Sequence, residues 1–178
     1  MFSLSCNPGA GAGEAHGTLT ATDCGLEDAP FALAPDFFTA EAVRDELHMR
    51  LQEGSDLQIR SDGLTLVVTD AARVRSTQLE TPLLVGEGEG VDVRMSLYLN
   101  SRCHKDRHET PVIMSASEGS IVFHDIYAPL VDDRALRIAA DFDNVQFSDP
   151  YDPEARHAVL SGSFEVIYNR GRPSQRFP

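Results

Sequence analysis

Residues 92–100 read DVRMSLYLN. Val93, Met95, Leu97 and Leu99 fall on one side of an extended chain, and Arg94, Ser96 and Tyr98 on the other. Successive side chains of a strand point to opposite faces, so this period of two predicts a half-buried strand. The same pattern recurs on both sides of it. Toward the N-terminus, GTLTATDC (17–24) alternates Leu19 and Ala21 with polar residues, and SDGLTLVV (61–68) places Leu64, Leu66 and Val68 on one face. Toward the C-terminus, GSIVFHDIYAP (119–129) is apolar on parts of both faces. RALRIAADFDNVQFSD (134–149) lines up Leu136, Ile138, Ala140 and Phe142, and AVLSGSFEVIYNR (158–170) lines up Leu160, Phe164, Val166 and Tyr168. Turn residues separate these runs, as in EGSD (53–56), GEGEG (86–90), SEGS (117–120) and SDPYDP (148–153).

Many short strands with such punctuation predict an all-β domain, a two-layer antiparallel β-sandwich of about seven to ten strands. One stretch is ambiguous. In TAEAVRDELHMRLQE (39–53), Ala40, Val43, Leu47 and Leu51 form a helical stripe, so one short helix near 39–52 is a competing reading. Leu47, Met49 and Leu51 also alternate, and with β neighbours on every side a strand over 46–52 after a turn at VRDE is preferred. Val74 is expected to begin another short strand. Gly162, inside an apparent strand, marks a bulge or a close backbone contact. The domain is expected over 17–169, after a flexible, Gly/Ala-rich tether at 1–16 and before a basic, Pro-bearing tail at 170–178.

A formal net charge of −13 over 178 residues argues against a nucleic-acid partner, which needs a Lys/Arg surface. It also disfavours electrostatic attachment to anionic lipid, and it favours solubility or a basic partner. No apolar run has the length of a membrane-spanning helix. The start of the chain carries a different signal. MFSLSC ends in Cys6, and a flexible Gly/Ala/Pro stretch follows, in the order of a lipoprotein cysteine and its tether. Cys6 is therefore a candidate lipid anchor, and it requires charged and apolar leader residues upstream of Met1. The competing reading is an incidental thiol.

Lipidation of Cys6 leaves Cys24 and Cys103, each beside a turn, free to pair. Their disulfide would need an oxidising compartment, and one odd cysteine is what an anchor leaves over. Two buried free thiols in a cytosolic protein are the alternative. Cys103 also opens CHKDRHE (103–109), where His104 and His108 are four apart beside Asp106 and Glu109. Zinc takes such ligands, but the tetrahedral set is incomplete here, and a solvated hairpin loop is the preferred reading. Asp141 and Asp143, with Asn144, Asp149, Asp152 and Glu154, form a second metal candidate, for calcium, without the EF-hand pattern. No cofactor is expected. The chain has no G-x-S-x-G elbow, P-loop or H-E-x-x-H motif, and His48 beside Asp45 and Glu46 is a general base only in the loosest sense. A non-enzymatic protein is expected.

The order of GTLTATDC, PFALAPDFF (30–38), SDGLTLVV, MSLYLNSRC (95–103), GSIVFHDI, LSGSFEVIY and RGRPSQRFP resembles uncharacterised envelope lipoproteins of high-GC Gram-negative bacteria. The resemblance runs over most of the chain after Gly17 and carries no activity. It implies an exported β-domain anchored at the outer membrane or resident in the periplasm, with a disulfide at Cys24 and Cys103. Contact with membrane is then through the lipid alone. The functional expectation is a module that binds another protein or assembly, shown by an apolar patch or exposed edge strand. A carbohydrate or small-ligand module is the alternative, shown by a shallow groove with exposed tyrosines. A pocket in which carboxylates and a histidine converge would instead indicate an enzyme.

Overall fold

The alternation in residues 92–100 is a strand. Val93, Met95, Leu97 and Leu99 are buried, while Arg94 points to solvent. In the computed structural model of the protein, which describes residues 11–54, 61–103 and 111–168, ten strands follow the same logic. They are β1 (Ala12–Ala21), β2 (Leu26–Leu33), β3 (Phe37–Val43), β4 (Glu46–Gln52), β5 (Gly63–Val68), β6 (Pro82–Leu84), β7 (Val93–Leu99), β8 (Val112–Asp125), β9 (Arg137–Ser148) and β10 (Arg156–Ile167). All strand pairs are antiparallel.

The sandwich expected from the sequence is corrected in one respect. The strands form one continuous sheet in the order β2-β1-β10-β9-β8-β7-β5-β4-β3, with β6 added on β8. That sheet is curled into a half-barrel, so the apolar faces that meet belong to two walls of one sheet. Chain connectivity shows why it curls. β2 and β3 are the two outermost strands of the path, yet only residues 34–36 join them. Four Cα steps span at most about 14 Å, so the two edges must approach each other. Phe38 of β3 does reach the start of β1: a methyl group on Gly11, the residue before it, would lie 3.0 Å from its ring.

The inward rows merge in a single core. Leu47, Met49 and Leu51 of β4, Leu64, Leu66 and Val68 of β5, and Phe123, Phe142 and Phe147 across β8 and β9 all belong to it. At Gly162 the β9–β10 register shifts, and a Cβ there would sit 2.1 Å from the Glu14 carbonyl oxygen of β1. Both features expected of this glycine are present: a bulge, and a backbone approach that only glycine allows.

Residues 39–52 contain no helix. They are the β3–β4 hairpin, turning at Arg44–Asp45, with Val43 paired to Glu46 and Arg44 in the left-handed region at φ 58°. The helical stripe lost because the strand register buries Leu47, Met49 and Leu51 together, whereas a helix would bury only part of that set. Val74 does not begin a strand either. Asp70 caps a short helical turn (Ala71–Arg73) by accepting the Arg73 amide at 2.8 Å, and Val74–Gln78 continues it as a π-turn. β1 starts at Ala12, where it pairs with Glu165, so the folded part begins earlier than Gly17.

Candidate functional site

Two ends and one outer face of the half-barrel carry the informative side chains. At the first end, the turn Thr22–Cys24 between β1 and β2 meets the segment leaving β7. Cys24 and Cys103 are disulfide-bonded, with Cα atoms 5.3 Å apart and a sequence separation of 79. The segment carrying Cys103 is also held by a buried carboxylate. Asp62, fully buried at the entry to β5, accepts the amides of Asn100 and Ser101 at 2.7 Å and that of Arg102 at 3.3 Å. Its second oxygen takes the Arg102 guanidinium at 3.0 Å. Arg102 reaches on to β2, donating to the Ala32 carbonyl at 2.6 Å and lying over the Phe31 ring at 4.8 Å. The disulfide and Arg102 therefore join strands that are not neighbours in the sheet.

A second arginine ties the same end together. Arg156 of β10 donates to both oxygens of Asp23, at 3.3 and 2.8 Å, and to Asp149 at 2.7 Å. Those bonds hold the guanidinium above its usual range. Burial alone would raise the Asp149 carboxyl, but the Tyr151 amide and Arg156 outweigh it and hold it below the ordinary carboxylate range.

On the outer face above β4, β5 and β7, Tyr98 lies across Gly63, donates its hydroxyl to Gln52 at 3.0 Å, and has the Arg50 guanidinium 5.6 Å from its ring centre. All three polar side chains are buried despite pointing away from the core, and burial pushes the Tyr98 phenol up. The hydroxyl of Tyr98 and the amide of Gln52 face each other, with Arg50 beside the ring.

A concavity lies on the outer face over β1, β10, β9 and β8, an open groove of about 450 Å³. Ala12, Ala139 and Ser163 form its low floor, and Glu14, His124, Arg137, Asp141 and Glu165 rise around it. Arg137 makes two bonds to Glu165, both 2.9 Å. His124 is held from both sides, Nδ1 against Glu80 and Nε2 against Asp141, each at 2.9 Å. The hydrogen bonds to Asp141 and then Glu80 raise the imidazole above its ordinary value.

The residues singled out in the sequence fall as follows. Cys6, His104 and His108 lie outside the described residues. Asp141 serves His124, and Asp143 accepts the Ser161 hydroxyl at 2.9 Å and an Asn144 amide proton at 2.8 Å. Among the described residues, one set of three metal-type ligand atoms comes within 4.8 Å, that of Asp23, Cys24 and Cys103. Its sulfurs are bonded to each other and its carboxylate to Arg156, so nothing there is left for an ion. In the groove, His124 lies between Glu80 and Asp141, and Arg137 pairs with Glu165. Tyr98, Tyr127 and Tyr168 are buried, and Tyr151 alone among the tyrosines is exposed, at 95%. Sequence reasoning missed Asp62, Arg102, His124 and Arg156, whose partners are remote in sequence.

The second end carries exposed apolar side chains among exposed charged ones, Asp132, Asp133 and Arg134. Tyr127 stacks on Tyr168 with ring centres 3.8 Å apart, and the Tyr168 amide donates to Leu136. Around this buried pair stand exposed Leu130, Val131, Leu136 and Ile167, with Leu130 70% exposed. Leu130 also borders a shallow depression shared with Ala42 and Arg44 at the end of β3, next to exposed Val43. No helix among the described residues is long and apolar enough to cross a membrane. No family model matches the chain, and neither a curated protein nor a solved structure matches it.

Proposed function

We propose that the protein is an exported, non-enzymatic module that binds another protein through the apolar end of its half-barrel. The observation that carries this is that five exposed apolar side chains, Val43, Leu130, Val131, Leu136 and Ile167, belong to the segments that meet at that end. Such groups are ordinarily scattered singly on a soluble surface; grouped, they mark an interaction site. The disulfide supports an oxidising compartment, and the net charge of −13 favours a partner with basic groups around its apolar contact.

Site-specific photocrosslinking in the native cells tests the reading. A crosslinking side chain at position 130 is expected to give one discrete protein adduct, and one at exposed Leu84 none. The absence of an adduct at 130, or the same adduct at both positions, overturns it. The anchor on Cys6 is part of the proposal and has its own test. Mass spectrometry of the native protein is expected to find residue 6 at the N-terminus with a lipid attached. An unmodified Cys6 preceded by residues 1–5 removes the anchor.

A small-ligand module is the second reading, favoured by the open groove of about 450 Å³. The burial of three tyrosines weighs against its carbohydrate form, since these rings offer no exposed platform.

A further inference from the structure

His124 lies on the outer face, outside the core, and its surroundings assign it a role of its own. Its two ring nitrogens contact carboxylates from different elements: Glu80, in the turn before β6, and Asp141 of β9. A carboxylate only accepts, so an imidazole bonded at both nitrogens must carry both protons. The Glu80 turn is under load. Glu80 has φ of 59°, a left-handed conformation that costs energy for any residue with a side chain, so other bonds must hold it there. Two are visible: its amide donates to the Phe123 carbonyl at 2.9 Å, and its carboxylate meets His124. The arm that follows is slight, since β6 has three residues and pairs with β8 alone.

We propose that His124 is a pH-operated latch for the Glu80 turn: the imidazolium ties that turn to β9, and loss of one ring proton releases it. The charged groups around it fit this assignment. Asp125 of β8 is occupied by Arg75, and Arg137 of β9 by Glu165 of β10. Glu14 of β1 borders the same groove and adds negative charge. The imidazolium is thus the cation shared by Glu80 and Asp141. Because the two carboxylates raise the folded-state value, the latch is closed below the ordinary imidazole range and opens as pH rises through the raised value. Asp141 is fixed in register on β9 beside β8, whereas Glu80 stands in a left-handed turn, so Glu80 is the partner released.

The experiment follows the His124 ring resonances and amide exchange together, by NMR on the full chain with its disulfide intact. The ring signal is assigned by its loss in His124→Gln. The midpoint is expected above that of an ordinary exposed histidine. Protection of the Glu80 amide, corrected for intrinsic exchange, is expected to fall about two- to fivefold across that midpoint, the scale of one exposed ion pair. Asp141→Asn should lower the midpoint, and His124→Gln should abolish the step while leaving the thermal midpoint of unfolding nearly unchanged. A midpoint at or below the ordinary value overturns the latch. So does a Glu80 amide without a step at the midpoint, or a step that survives in His124→Gln.

Discussion

Replacing Cys24 and Cys103 together by serine is expected to lower the free energy of unfolding by about 4 kcal/mol. The bond joins positions 79 apart, and closing a loop of that size removes about 4–5 kcal/mol of chain entropy from the unfolded state. The native side adds a reason to expect most of that value. Asp62 and Arg102 hold the segment before Cys103 independently of the sulfurs, so the fold does not have to relax when the bond is absent. For a domain of this size the loss amounts to roughly 10 °C in the thermal midpoint. Circular dichroism melts of the double variant, and of the native protein with and without reductant, measure it. A loss below about 1 kcal/mol would show that the staple constrains little. The result also bears on the compartment: a protein that depends on this bond suits an oxidising environment and is impaired in a reducing one.

The strands were legible because their evidence is local. In DVRMSLYLN the side-chain period and the burial of Val93, Met95, Leu97 and Leu99 are one fact seen twice. The turn at Arg44–Asp45 and the bulge at Gly162 were legible for the same reason. The closure of the sheet was not. Alternation says which face of a strand is apolar, and two walls of one curled sheet leave the same pattern as two sheets. The distinguishing fact is the short link at 34–36 between the outermost strands, and it has meaning only once the strand order is known.

The disulfide could be proposed from the sequence because cysteines are few and pairing is a chemical expectation. The polar groups gave no such warning. Asp62 lies in SDGL, which reads as a turn, and its partners Asn100, Ser101 and Arg102 are 38–40 positions away. His124 alternates within a strand like any polar residue, and nothing in the sequence sets it between Glu80 and Asp141. Asp141 and Asp143, metal candidates by residue type alone, accept hydrogen bonds from His124, Ser161 and Asn144, partners that the sequence does not announce. Charge clusters in a sequence report composition, whereas a site depends on which atoms are left over after folding.

Substituting Asp62 is expected to cost nearly as much as removing the disulfide, although the side chain is small and far from the proposed docking face. The carboxylate is fully buried, and it satisfies three successive amides and one guanidinium. Asp62→Ala leaves those donors without an acceptor and is expected to cost about 3–4 kcal/mol, the scale of breaking a buried charged pair. Asp62→Asn keeps one acceptor oxygen but turns an amide group toward Arg102, and about 2 kcal/mol is expected. Urea unfolding gives both values, and amide exchange gives a local signature: Asn100, Ser101 and Arg102 should lose protection first. A cost under about 1 kcal/mol for Asp62→Ala, with those amides still protected, would show that the segment is held by other contacts. Because Asp62 and Cys103 fix the same segment, their effects should not add. In the cysteine-free background the segment can open locally once its pin is gone, so the cost of Asp62→Ala should shrink by about 1 kcal/mol. Strict additivity would mean that the pin and the staple act on separate parts of the fold.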